Sequence, residues 1–180
     1  MGPGSAGDPV WAAAVVMRDG TQVGLGTERA EALGPYRPGL LALRYGPALE
    51  AAVRAVPRPD VLLVAATGRD HPRRAGLALH LGAVLGVPTV GVTHRPLAAR
   101  GPWPPARRGA HEPLELEGEV VGAWLRTSPR ARPLAVHAAW RTDPATAVAV
   151  VVAAAGGHRT PEPLRRTRLL ARLARAEHPS

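Results

Sequence analysis

The sequence predicts an α/β fold whose sheet is at least partly parallel. Three observations carry that expectation. Apolar, β-branched runs at residues 61–64 and 89–93 flank a segment of helical spacing at 74–85, the strand–helix–strand order of a parallel crossover. Upstream, residues 10–17 end in Arg18-Asp19-Gly20, a turn signal, and residues 21–29 can return beside them as a hairpin. Downstream, Asp143-Pro144 sets a capping carboxylate and a first-turn proline ahead of an Ala/Val-rich helix running to Ala155.

The remaining segments fall between these. Residues 34–39, Gly-Pro-Tyr-Arg-Pro-Gly, form a rigid turn-rich loop, because each proline fixes its own φ and disfavours helix in the residue before it. Residues 40–56 have helical spacing, with Leu40, Leu43, Pro47, Ala51 and Ala55 along one side; Pro47 kinks that helix or marks a first turn. Residues 100–112 read as a Pro/Arg/Gly loop, and 120–126 with 134–137 as a further strand pair. Residues 164–176 form a basic amphipathic helix, with Leu169, Leu170 and Leu173 inward and Arg165, Arg166, Arg168, Arg172 and Arg175 outward. The expected organisation is a flexible lead at 1–9, one domain over 10–176 and a short tail at 177–180.

Composition bounds the chemistry. The 180 residues are enough for one well-packed domain, and the chain has no cysteine, which excludes disulfides, thiolate metal sites and cysteine nucleophiles. All 23 basic residues are arginine, so lysine chemistry is excluded as well. The net charge of +9 suits polyanionic partners, and the planar guanidinium suits phosphate; heavy Ala, Arg, Pro and Gly usage is also the mark of a GC-rich coding bias. No secretory leader and no run of about 20 apolar residues is evident, so a cytoplasmic protein that does not engage the membrane is expected.

Five motifs occur in one order: PYRPGLLALRYGP from Pro35, ATGRDHPRRAGLALHLG from Ala66, VPTVGV from Val87, VVGAWLRT from Val120 and RTPEPLR from Arg159. Together they resemble the endonuclease V family, magnesium-dependent nucleases that recognise deoxyinosine and have an RNase H-like fold. The resemblance implies a mixed sheet flanked by helices. It also implies that the family's opening, central strand, which carries a metal-binding aspartate, is missing ahead of residue 10.

Carried over residue by residue, the resemblance divides. The family's metal-binding glutamate corresponds to Tyr45, its strand-end aspartate to Ala65, its lysine to His94 and its histidine to Trp140. Magnesium wants oxygen ligands, so the expectation is no cofactor and no catalytic residues. The nucleic-acid-facing positions are retained: Pro35, Tyr36, Arg37 and Pro38 match the family's duplex wedge, and Gly39, Leu41, Gly68 and Gly91 its base pocket. His71, Arg73 and Arg74 match its HPR segment, where the arginines contact phosphate or form a solvated face. Arg126 is either a structural ion-pair member or a phosphate contact.

The expected function is therefore a catalytically inactive endonuclease V-like protein that still binds DNA or RNA weakly. Two alternatives remain. One is an active nuclease with a transition-metal site rebuilt from His71, His94, His137 and Asp70, since imidazole with carboxylate suits zinc better than magnesium. The other is an interaction subunit, homo-oligomeric or bound to another protein, whose sheet edge a partner strand completes.

Overall fold

The computed structural model describes residues 4–37 and 39–177. It divides into two compact units, Met1–Pro59 with Pro163–Ser180, and Asp60–Glu162, each with its own sheet.

The first unit is built on the expected hairpin, β1 (Pro9–Arg18) antiparallel to β2 (Thr21–Glu31). Its two-residue turn puts Asp19 at φ 49° and Gly20 at φ 77°, the paired positive angles that match the twist of the strands. Val10, Ala12 and Ala14 of β1 are buried, with half-exposed residues between them, the period-two signature of one covered face. That face meets α1 (Leu41–Arg54), which buries Ala48, Ala52 and Val53. Gly26 permits the approach, because a Cβ there would stand 3.0 Å from the Ala52 carbonyl oxygen. Pro47 lies inside α1 and removes one amide from its hydrogen-bond ladder.

The last element of this unit, α4 (Glu162–Ala176), departs from expectation. Leu164 is buried, but Leu169 and Leu173 are 58% and 50% exposed. The helix meets the hairpin through its arginines instead. Arg175 places its guanidinium 6.0 Å from the Trp11 ring centroid, and Arg166 Nη1 donates to Gln22 Oε1 at 3.2 Å.

The second unit is a mixed five-stranded sheet in the order β3-β4-β7-β6-β5. β3 (Leu62–Val64) runs parallel to β4 (Thr89–Thr93), and α2 (Leu77–Leu85) makes the crossover. β7 (Leu134–Ala138) is antiparallel to β4, and β6 (Glu119–Leu125) and β5 (His111–Leu116) follow antiparallel. α3 (Pro144–Ala154) packs on β6 and β7; Asp143 caps it by accepting from the Thr146 amide at 2.9 Å. Among the described residues no helix is long and apolar enough to cross a membrane.

Two boundaries differ from the sequence expectation, each for a local reason. α2 starts at Leu77 because Arg74 adopts a left-handed φ of 52°, which an α-helix cannot contain. β5 occupies part of what reads as loop, since Pro113 and its glutamates are poor strand formers. Proline is tolerated there because β5 is an edge strand, where a missing amide need not break a ladder.

One buried side chain ties this unit together. Asp70, with no solvent exposure, accepts from the amides of Leu97 (2.7 Å), Ala98 (2.8 Å) and Ala99 (2.7 Å). It thereby fastens the start of the β4–β5 connection to the loop after β3. Asp70→Asn replaces one of two acceptor oxygens by a donor and leaves buried amides unsatisfied. The expected cost is about 2–4 kcal/mol, read as a lower urea midpoint with accelerated amide exchange at residues 97–99.

Candidate nucleic-acid interface

In the first unit, the loop before α1 leaves Pro35, Tyr36 and Arg37 exposed; Pro38 lies outside the described residues. Gly39 follows at φ 77°, a conformation costly for other residues, and Leu41 opens α1 half-buried. The loop is anchored from below. Arg44, 7% exposed, donates through Nη1 to the carbonyls of Ser5 (2.8 Å) and Gly34 (2.7 Å), while Nη2 reaches Asp8 Oδ2 at 3.4 Å. The Tyr36 amide donates to the Gly4 carbonyl at 2.8 Å. These bonds fix the backbone and leave the Tyr36 ring 43% exposed. Leu33, Gly34, Pro35, Arg37, Leu40 and Leu43 line a shallow apolar cleft beside it. The anchoring role of Arg44 is not evident from the sequence, where it reads as one more helical arginine. Tyr45, next to it, is half-buried, and the Arg44 guanidinium lies 5.6 Å from its ring centroid.

In the second unit, Ala65 is exposed at the end of β3 and Ala66 is buried. Gly68 and Gly91 are demanded by backbone packing: a Cβ on Gly68 would stand 2.3 Å from the Ala138 oxygen, and one on Gly91 2.3 Å from the Ala66 oxygen. His71 is 4% exposed, and its Nδ1 accepts from the Arg73 amide at 3.1 Å, which rigidifies the turn. Arg73 itself is exposed. Arg74 is committed elsewhere, donating to Glu119 Oε2 (3.1 Å), Glu117 Oε2 (3.1 Å) and the Leu116 carbonyl (3.0 Å). It clamps the β5–β6 turn.

Arg126 resolves towards structure too, but not as an ion pair. It donates to the carbonyls of Pro104 and Ala131 and lies 5.9 Å over the Trp103 ring. His94 is exposed. Trp140 is half-buried, packed so closely on α2 that a Cβ on Gly82 would stand 2.3 Å from its own Cβ.

Whether these residues fit a magnesium ion follows from the donors they present. Neither Tyr45 nor Ala65 is a carboxylate. Asp70 is fully engaged by three backbone amides. Among the described residues, no group of three or more His, Asp or Glu side chains is placed to hold a metal ion. The side chains at these positions do not make an oxygen cage for a hard dication.

His137 is likewise spoken for. It is fully buried, its Nε2 lies 2.7 Å from Thr93 Oγ1, and Thr93 donates its single proton to the Arg95 carbonyl at 2.7 Å. The His137 Nδ1 lies 3.5 Å from Asp70 Oδ2. Burial lowers the imidazole pKa to about 4, and the Asp70 charge opposes that only in part. The ring is neutral near pH 7, so its approach to Asp70 is no ion pair there. Unfolded, the same ring binds a proton near pH 6.5. The unfolded chain thus takes up more protons between pH 6.5 and 4, and this contribution to stability is present above pH 6.5 and lost on acidification. The loss is on the order of 3 kcal/mol. Urea midpoints of wild type should fall across that window, and His137→Gln should flatten the fall.

Comparison with known proteins places this geometry. Residues 3–169 match the Endonuclease V family. Endonuclease V of Azotobacter vinelandii is 41% identical over 172 residues, covering 93% of this chain and 76% of the relative; that of Methanopyrus kandleri is 45% identical over 138 residues, covering 77% and 60%. The chain thus spans less than two thirds of the length of some curated relatives. The crystal structure of endonuclease V from Streptomyces avermitilis superposes with a TM-score of 0.84 at 34% identity, covering 97% of this chain and 85% of that one. A Ciona intestinalis endonuclease V, solved with a 24mer DNA containing an inosine followed by a ribo-adenosine, gives 0.74 at 18% identity, covering 97% and 92%, a likeness of fold.

These matches correct one expectation. From Tyr45 and Ala65 the sequence suggests a protein without a cofactor, but its relatives bear the name of a magnesium-using enzyme family. Replaced side chains at a few positions do not establish that metal is dispensed with. By profile, by identity and by fold, the chain belongs to the endonuclease V family.

Proposed function

We propose that this chain is a nucleic-acid-binding member of the endonuclease V family, in the DNA-repair lineage, that grips a strand without cutting it. One contrast carries the reading. The loop presenting Pro35, Tyr36 and Arg37 is intact and braced by Arg44, whereas Tyr45 and Ala65 stand where the family's carboxylates belong.

Physical chemistry supports the binding half. An exposed ring on a rigid backbone can stack against an unpaired base with little ordering entropy, and Arg37 and Arg73 are exposed to meet phosphate. A net charge of +9 draws the polyanion in, and guanidinium stays charged at any physiological pH. The DNA held by the Ciona relative is consistent with this partner class. The catalytic half rests on residue identity alone: Tyr45 and Ala65 stand where the resemblance places carboxylates of the family.

The test is a titration of a labelled deoxyinosine-containing oligonucleotide at two salt concentrations, with Mg²⁺ present and the product run on a denaturing gel. Expected are saturable binding that weakens with salt, a loss of about 5- to 100-fold in Tyr36→Ala, and an uncut strand. No binding at low salt overturns the grip; a nick at the inosine overturns the loss of chemistry.

A further inference from the structure

The second unit carries an aromatic surface that the wedge loop does not explain. Trp103 sits in Gly101-Pro102-Trp103-Pro104-Pro105 and is 56% exposed, yet it is held firmly. Its ring meets Trp124 edge-on, with centroids 6.1 Å apart and planes at 71°. Trp124 belongs to a buried cluster with Ala99, Leu114, Val121 and Ala135, so the exposed indole is mounted on the core. The Arg126 guanidinium lies 5.9 Å from its centroid and is itself fixed to the Pro104 and Ala131 carbonyls. Three prolines stiffen the backbone, and the Gly109 and Arg126 amides and carbonyls of this segment close it against β6: Gly109 N donates to the Arg126 carbonyl at 2.7 Å, and Arg126 N to the Ala110 carbonyl at 2.9 Å.

An exposed indole costs hydration free energy, and a packed, proline-framed one has little motion with which to hide. Its surroundings say what it suits. Residues 100–111 contain three arginines, Arg100, Arg107 and Arg108, all exposed, and no carboxylate. Glu112 and Glu115 follow on β5. A partly exposed π-face in an arginine-rich segment without carboxylates suits an unstacked nucleobase with its flanking phosphates.

We propose that Trp103 is a stacking platform for a base of single-stranded nucleic acid, with Arg107 and Arg108 engaging the adjacent phosphates. The inference rests on the nucleic-acid reading above and adds a second contact, to a strand not paired in a duplex. Stacking needs an exposed base face, which the bases inside a duplex lack and every base of a single-stranded tail offers.

The test compares two labelled probes, a blunt duplex containing deoxyinosine and the same duplex with an oligothymidine tail. For wild type the tailed probe should bind more tightly. Trp103→Ala should remove about 5- to 100-fold of tailed-probe affinity and leave the blunt probe nearly unchanged. Trp103→Phe, which keeps an aromatic face, should retain most of the affinity, whereas a general packing defect in Trp103→Ala would weaken both probes alike. Arg107→Glu with Arg108→Glu, which leaves the Trp103–Trp124 contact in place, should weaken tail binding and flatten its salt dependence. If Trp103→Ala unfolds, the Phe and double-Glu variants decide alone. Failure of wild type to bind either probe rejects the nucleic-acid reading itself. Blunt binding with no gain from the tail, or a gain that all these variants keep, rejects the platform alone and leaves the surface to a protein partner.

Discussion

The second unit depends on a carboxylate that has been withdrawn from solvent. Burying Asp70 is expensive unless every lone pair is used, and three successive amides at residues 97–99 use them. The consequence spreads along the chain. The connection that leaves β4 is turned at these amides, and Ala99 joins the cluster beneath Trp124. His137 shares the same pocket and stays neutral because it is buried there. Asp70 thus acts as a structural fastening.

Much of the architecture was readable from residue order. The strand–helix–strand unit of β3, α2 and β4 follows from apolar runs separated by one helical segment, and the Asp143 cap from a carboxylate ahead of proline. What failed did so for tertiary reasons. β5 contains Pro113 with His111 and Glu115 at exposed positions and Glu112 half-exposed, and its place at the sheet edge lets it form a strand. The start of α2 is displaced by a left-handed Arg74, whose side chain reaches the acidic β5–β6 turn. The leucine stripe of α4 has the period of a buried face, yet the helix is held by Arg166 and Arg175.

The candidate site was legible in part. Motif order singled out the loop at residues 35–37 and the positions of Tyr45 and Ala65, because those are matters of residue identity. It could not separate glycines that admit a ligand from glycines that admit backbone; Gly68 and Gly91 have carbonyl oxygens where a Cβ would go. Nor could it find Arg44 beneath the loop or Trp103 on its mount, since both roles arise from contacts between residues distant in sequence.

Pro113 carries a last implication. A rim strand with free amides invites a foreign chain to continue the ladder, and repetition of that event is how fibrils grow. On β5 a proline removes one of those amides, exposed glutamates add charge, and Arg74 pins the far turn. Proline, charge and the clamped turn together disfavour continuation of the ladder along that side of the sheet.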